Sequence, residues 1–279
     1  MKRLLTAIIA SLMALTAMFS FTACGDNNET DNTIKVGMEC GYAPFNYTQT
    51  TDANGAVKIS NAEGYANGYD VQIAVKIAEA LGKELVIVKY EWDALINAVQ
   101  TGALDFIIAG MSPTAERLES IDFSSAYYES QLVIVVRKDG NFANATKLSD
   151  FNGAKIAAQI GTFHDQALEA QAQANGIIRQ TPMDTFPALI NALNTGAIDG
   201  YVAEEPGAKS DCATNSAFTY IPLVNNDTGF TATAEDVQIA IGLKKGSQYK
   251  DPINTALASI DAATRLAMME TATANAPTE

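Results

Sequence analysis

Side chains able to do chemistry gather at a few places in the chain: Glu39 and Tyr42, Ser112 with Arg117, Gln159 with Thr162, and Glu204. What they offer is mainly binding. A guanidinium such as that of Arg117 meets a carboxylate through two parallel hydrogen bonds, a geometry lysine cannot reproduce. Ser112-Pro113 reads as a helix N-cap followed by proline at the first helical position, leaving free backbone N–H groups to receive an anion. Gly161-Thr162 reads the same way, ahead of a helix over 163–172. Chemistry that transforms a substrate is short of material. The single histidine, His164, reads as a cap or surface residue, since catalysis would need an oriented partner. No P-loop, dinucleotide-binding glycine motif, nucleophile elbow or calcium loop occurs. No metal and no cofactor is expected.

The elements that would position these groups are legible from an internal repeat. Trp92-Asp-Ala-Leu-Ile-Asn-Ala-Val-Gln-Thr-Gly-Ala-Leu-Asp105-Phe-Ile-Ile-Ala-Gly110 aligns without gaps with Phe186-Pro-Ala-Leu-Ile-Asn-Ala-Leu-Asn-Thr-Gly-Ala-Ile-Asp199-Gly-Tyr-Val-Ala-Glu204, with ten identities in nineteen positions. Each copy reads as an amphipathic helix, a glycine stop (Gly102, Gly196) and a short buried strand. Leu95, Ile96, Ala98 and Val99 supply the packed face of the first helix, and Leu189, Ile190, Ala192 and Leu193 that of the second. A weaker echo pairs Ile34-Lys-Val-Gly-Met-Glu-Cys-Gly41 with Ala154-Lys-Ile-Ala-Ala-Gln-Ile-Gly161, each a strand running into a glycine turn. A helix over 70–81 stopped at Gly82 and a strand over 85–88 complete the first unit. Two α/β units with mostly parallel sheets follow. Ligands bind beyond the carboxyl ends of such strands, which here are residues 39–42, 110–112, 159–163 and 204. Two facing edges of this kind make a cleft.

Composition narrows the function further. Over 279 residues, 18 Lys and Arg stand against 32 Asp and Glu, a formal net charge of -14. Nucleic acid is excluded as a partner, because polyanions need clustered cations. Hydrophobic residues make up 48% and charged residues 18%, which excludes a disordered chain. Lys2 and Arg3 precede an apolar stretch from Leu4 to Phe21, and small residues lead up to Cys24. Residues 1–23 therefore read as a secretory signal. The position of Cys24 resembles a bacterial lipoprotein signal, in which that cysteine is lipidated, and 24–33 reads as a flexible tether. The chain is then exported and anchored by lipid to the outer face of the cell membrane, or periplasmic. Cys40 and Cys212 stay open between free thiols and a disulfide.

Several runs together resemble the extracellular solute-binding proteins (family 3 type) of polar amino-acid ABC importers. They are Gly37-Met-Glu-Cys-Gly-Tyr-Ala-Pro-Phe-Asn-Tyr47, Gly68-Tyr-Asp-Val-Gln-Ile73, Ala109-Gly-Met-Ser-Pro-Thr-Ala-Glu-Arg117, Ile121-Asp-Phe-Ser-Ser-Ala-Tyr-Tyr128 and Asp199-Gly-Tyr-Val-Ala-Glu-Glu-Pro206. The resemblance spans nearly all of 34–245. It implies an α/β, two-lobed periplasmic-binding-protein-like fold (type II) with two hinge crossings. Lobe 1 would comprise 34–129 plus 238–270 and lobe 2 130–230, with the second crossing at 231–237. The tail, 271–279, lacks the family's usual Lys-Trp-Phe-like ending and reads as unstructured.

The resemblance also implies a site for a free L-amino acid. Arg117 would anchor its carboxylate with Ser112, within a motif that includes Gly110 and Met111, and Gly161 and Thr162 would add donors from lobe 2. Glu204 would accept the ammonium where the family more often has Asp. Its extra methylene sets the ligand farther out, or lets Glu205 share the role. Tyr42 and Trp92 would sandwich the ligand side chain. Glu39 would meet the side-chain head and favour lysine, arginine or ornithine, because an acid there repels a dicarboxylic ligand. The competing reading pairs Glu39 with a protein cation such as Lys35. Gln159 stands between ligand contact and scaffolding. The implied protein is a monomeric receptor, not an enzyme, delivering its ligand to the permease and ATPase subunits of an importer. The alternatives are a receptor for glutamine or another polar neutral amino acid and, less favoured, a dehydratase-like enzyme with Glu39 or Glu204 as general acid.

Overall fold

Both copies of the repeat fold as read. The first is a 3-10 turn at Trp92–Ala94, a helix at Leu95–Thr101 and a strand at Phe106–Ile107. The second is a helix at Phe186–Asn194 and a strand at Gly200–Glu204. Gly102 ends the first helix in the left-handed region at φ 80, a conformation glycine adopts without strain. Leu95, Ala98, Val99, Leu189, Ala192 and Leu193 are buried, while Ile96 and Ile190 are only half-buried. The structure is a computed structural model and describes residues 32–277; the expected leader over 1–23, Cys24 and most of the 24–33 tether lie outside the described residues.

The two halves build sheets of the same design. One orders its strands Glu84–Lys89, Thr33–Met38, Phe106–Ile107, Gln238–Leu243 and Asp122–Glu129. The other orders them Ile178–Arg179, Lys155–Ala157, Gly200–Glu204, Leu132–Arg137 and Phe218–Ile221. In each, the first three strands are parallel and the fourth runs against its neighbours. The registers match as well. Val36 faces Phe106 in one sheet, and Ile156 faces Gly200, the repeat-equivalent position, in the other. The repeated aspartates explain themselves structurally: Lys35 N–H donates to Asp105 Oδ2 and Lys155 N–H to Asp199 Oδ2, both at 2.8 Å. The chain leaves the first sheet after Glu129, enters the second at Leu132, and returns between Ile221 and Gln238. Apolar residues such as Val36, Ile73 and Ile87 fill the first core, and Ile134, Phe151 and Val202 the second.

Two features depart from the sequence reading. A third, antiparallel sheet joins Gly41–Tyr42, Asn46–Gln49, Tyr65–Asn67 and Val57–Lys58. Its strands are too short for periodicity to register. Behind it, Asp70 accepts from the Tyr127 hydroxyl at 2.6 Å and from Asn46 Nδ2 at 2.8 Å, while Asn46 Oδ1 accepts from Cys40 N–H at 2.8 Å. This buried network holds the turn that carries Glu39 and Tyr42. Asn46→Ala would leave an Asp70 oxygen and the Cys40 N–H unpaired. It is expected to destabilise by about 2–4 kcal/mol, read as a lower midpoint in urea unfolding. The second departure is the tail. Helix Ala262–Ala274 continues past residue 270, and Met268, Met269 and Ala272 are buried by it. The Ala272 carbonyl accepts from Tyr47 at 3.4 Å. The apolar spacing of that helix, not the missing aromatic ending, decides the order of 271–274. Among the described residues, no helix is long and apolar enough to cross a membrane.

Candidate functional site

The strand ends converge where the two sheets face each other. Glu39, Tyr42, Trp92, Gly110, Ser112 and Arg117 line one side of a cavity. Gln159, Thr162, Phe163, His164, Phe186 and Glu204 line the other. Expected site residues thus come together from both halves of the chain. Gly161 joins them through its carbonyl. Met111 does not: its side chain is buried in the first core, and its carbonyl accepts from Ala240 N–H. Glu205 is turned away and pairs with Lys209 at 2.9 Å, so it cannot share the role of Glu204.

Arg117 is 9% exposed. Its Nη1 donates to the Ser112 carbonyl at 2.8 Å and its Nη2 to the Gly161 carbonyl at 3.0 Å. The guanidinium lies over the Trp92 ring, 5.1 Å from its centroid. Among the described residues, no acid forms an ion pair with it. Burial lowers its pKa to about 10, opposed by Glu116, so it stays a cation at neutral pH. The local helix differs from the reading of Ser112-Pro113. Helix Ala115–Ser120 starts later, and Thr114 is its cap, accepting from Arg117 N–H. Ser112 instead spends its carbonyl on Arg117. Thr162 does cap Phe163–Ala172, accepting from Asp165 N–H, and donates its own hydroxyl to the Gln159 carbonyl at 2.7 Å.

Glu204 is 7% exposed, and its Oε2 accepts from the Tyr42 hydroxyl and lies 2.9 Å from His164 Nε2. Burial pushes its carboxyl up to about 8. Glu39 accepts from Gln159 Nε2 at 2.8 Å across the cavity. Burial raises it to about 7, partly offset by that bond and by Lys89, with Glu91 and Asp93 adding to the rise. Glu39 therefore has an amide partner rather than Lys35, and Gln159 serves as its holder. The aromatic pair is arranged differently from a mutual sandwich. Tyr42 stacks on Phe45 and Phe186, with centroids at 5.1 and 4.2 Å. Trp92 lies on Arg117 and donates Nε1–H to the Gly161 carbonyl at 3.0 Å.

Phe163, within the 159–163 strand end, lines the site without having been assigned a role; His164, read as a cap or surface residue, lines it too, and Phe186 is not foreseen there. His164 is buried beside Glu204, and burial together with Arg117 lowers its pKa to about 3, so the ring is neutral. Its place directly after the Thr162 cap region was the available signal. Cys40 and Cys212 are free. Among the described residues, no group of His, Cys, Asp and Glu could hold a metal ion.

The cavity between these walls measures about 20 Å³, room for roughly one water. The halves touch through Glu39–Gln159, Tyr42–Glu204, Arg117–Gly161, Trp92–Gly161 and Gln166–Glu116, and through the Tyr42–Phe186 stack. A larger molecule enters only when these contacts part. The surfaces that close on it would then present one buried cation, two buried carboxyls and aromatic faces.

Comparison with known proteins identifies the family and the fold. The model of the bacterial extracellular solute-binding proteins, family 3, matches residues 34–271. The chain is 24% identical to the arginine-binding extracellular protein ArtP of Bacillus subtilis, covering 94% of this chain and 93% of that one. It is 33% identical to a probable histidine-binding protein of Campylobacter jejuni, covering 77% and 78%. Among solved structures, an amino acid ABC transporter substrate-binding protein from Streptococcus pneumoniae, bound to L-arginine, superposes with a TM-score of 0.76 at 27% identity, covering 88% of this chain and 95% of that one.

Proposed function

The chain belongs to the bacterial extracellular solute-binding proteins, family 3, and from that premise we propose that it captures a cationic L-amino acid between its two lobes for an ABC importer. The observation that carries the reading is the placement of Arg117 and Glu204 on opposite walls of one cavity: among the described residues Arg117 forms no ion pair, and Glu204 meets only the neutral His164 and Tyr42, which leaves a buried cation and a buried acid to meet a zwitterion. Arg117 takes the carboxylate with Ser112, Gly161 and Thr162 nearby, and Glu204 takes the ammonium. Glu39 takes the charged head of the side chain, and Tyr42 and Trp92 flank its stem. The arginine- and histidine-binding relatives support a cationic or nitrogen-rich ligand. Lobe 1 is residues 34–129 with 238–274, the closing helix included, and lobe 2 is 130–230. The crossings lie near 128–132 and 231–237, where the chain changes sheets. Export, lipidation at Cys24, a monomeric state and delivery to permease and ATPase subunits belong to the same reading, supported by the composition of 1–23 and by the family.

Raised carboxyls are what a general acid would need. Here both are already engaged as recognition groups, and the family is one of solute-binding proteins, so we assign no catalysis.

The ligand is tested by a thermal-shift panel of the twenty L-amino acids plus ornithine, on chain unfolded and refolded to strip bound solute. At about 100 times its dissociation constant, a ligand of the folded state adds ~2.7 kcal/mol of stability. We expect the largest shifts with arginine, lysine or ornithine. Glu39→Gln should weaken these by about tenfold or more while leaving glutamine little changed, since a charge-assisted bond is worth ~1.5–3 kcal/mol. A shift confined to glutamine in the wild-type chain would sink the cationic assignment and keep the receptor.

A further inference from the structure

The wall that receives the ammonium contains a residue that the binding scheme above does not use. His164 is 5% exposed, and its Nε2 sits 2.9 Å from Glu204 Oε2. Its ring stands edge-on to Phe186, with centroids 5.8 Å apart. Among the described residues, Nδ1 is buried without a hydrogen-bond partner. A neutral imidazole has one N–H and one lone pair. If Nε2 carries the hydrogen, it donates to a Glu204 carboxylate and the orphan is a lone pair. If Glu204 carries its proton on Oε2, the oxygen that faces Nε2, the orphan is a buried N–H, the costlier of the two. The arrangement therefore favours the first state, the one that an ammonium needs.

We propose that His164 is a positioning residue of the ammonium site: its Nε2–H orients the Glu204 carboxyl group and favours its ionised form. The proposal rests on the reading of Glu204 as ammonium acceptor. Other ionisable groups around the pair do not supply this function. Arg117, in the same cavity, is committed to the Ser112 and Gly161 carbonyls. Tyr42 donates to the same Glu204 oxygen but comes from the other lobe, on the facing wall of the cavity. Glu39, in the opposite wall, is held by Gln159. Asp165, on the helix of His164, is taken by Arg179 at 2.8 Å, and Glu205, after Glu204, by Lys209. When the lobes part, Tyr42 leaves with its lobe and His164 stays with Glu204, because both belong to the second half of the chain. Burial raises the Glu204 carboxyl, so a retained donor matters most in the neutral range.

The test compares wild type, His164→Leu and His164→Gln by titration calorimetry with L-arginine and with des-amino arginine from pH 6 to 9. Glutamine keeps an N–H donor; leucine does not. We expect H164L to bind L-arginine about tenfold more weakly at pH 7, with the rise of affinity with pH displaced upward by about one unit. H164Q should recover most of both. The advantage of L-arginine over des-amino arginine should shrink by the same factor in H164L, because the histidine acts through the ammonium. Equal weakening toward both ligands with an unmoved pH profile would make His164 a packing residue and overturn the proposal. A wild-type chain that holds the two ligands equally would instead remove the ammonium role of Glu204, and the proposal with it. Circular dichroism of each variant identifies any that fails to fold, and for a misfolded leucine variant His164→Met supplies the donor-free comparison.

Discussion

Arg117→Ala is expected to abolish tight capture of an L-amino acid while leaving a folded chain. The guanidinium is buried, remains charged at neutral pH, and among the described residues meets two neutral carbonyls and an indole face but no acid. A buried cation without a counter-ion is costly. A ligand carboxylate removes that cost as it binds, so the gain appears as affinity. Losing the anchor should cost ~3 kcal/mol or more, at least about a hundredfold in Kd. The unliganded protein should change less, because alanine also removes the uncompensated charge. The melting temperature without ligand should stay within several degrees of wild type, while the arginine-induced shift disappears. Arg117→Lys should lie between, keeping the charge but losing the paired donors. Calorimetry showing R117A within about threefold of wild type would remove Arg117 from the site.

The second large effect is a pH dependence. The Glu204 carboxyl titrates near 8 and that of Glu39 near 7, both raised chiefly by burial. Glu204 meets Tyr42 and His164, with Arg117 lining the same cavity; Glu39 faces Gln159, Glu91, Asp93 and Lys89. A cationic amino acid needs both carboxyls ionised. Binding at pH 6–7 must therefore expel protons, and affinity should rise from pH 6 to 8 by about tenfold per unit for each protonated group. Calorimetry in two buffers of different ionisation enthalpy counts the protons directly. The sign for stability is opposite. Between the ordinary glutamate value of 4.5 and about 8, the folded state holds a proton at Glu204 that the unfolded state has lost, so stability falls as pH rises through that window. Glu204→Gln should flatten that fall and also lose the ammonium contact. An affinity for L-arginine independent of pH from 6 to 8 would contradict both assignments.

The fold was legible because it is written twice. The repeat and its glycine stops marked helix and strand in both halves; the matched register and the Lys35–Asp105 and Lys155–Asp199 bonds, the physical content of that duplication, came with the structure. The small sheet around Tyr47 was hidden because its strands span two to four residues. At the site, the strand ends together with the family resemblance pointed to Glu39, Arg117, Gln159 and Glu204, but not to their partners. That Glu39 meets Gln159, and that Tyr42 and His164 share one Glu204 oxygen, depends on how two lobes meet, and no periodicity records it. His164 looked like a cap because a lone histidine carries no sign of its neighbour. Met111 looked like part of the site because it sits inside the Gly110–Ser112 turn, yet its side chain turns into the core.

The central claim is that one free amino acid bridges Arg117 in one lobe and Glu204 in the other. The most direct measurement is titration of the refolded chain with L-arginine, agmatine and des-amino arginine, followed by the fluorescence of Trp92, the single tryptophan, whose Nε1–H reaches Gly161 in the opposite half. L-Arginine should saturate the signal, and each analogue, lacking the carboxylate or the ammonium, should bind at least about a hundredfold more weakly. Agmatine or des-amino arginine binding as tightly as L-arginine would show that the two walls do not hold a zwitterion between them.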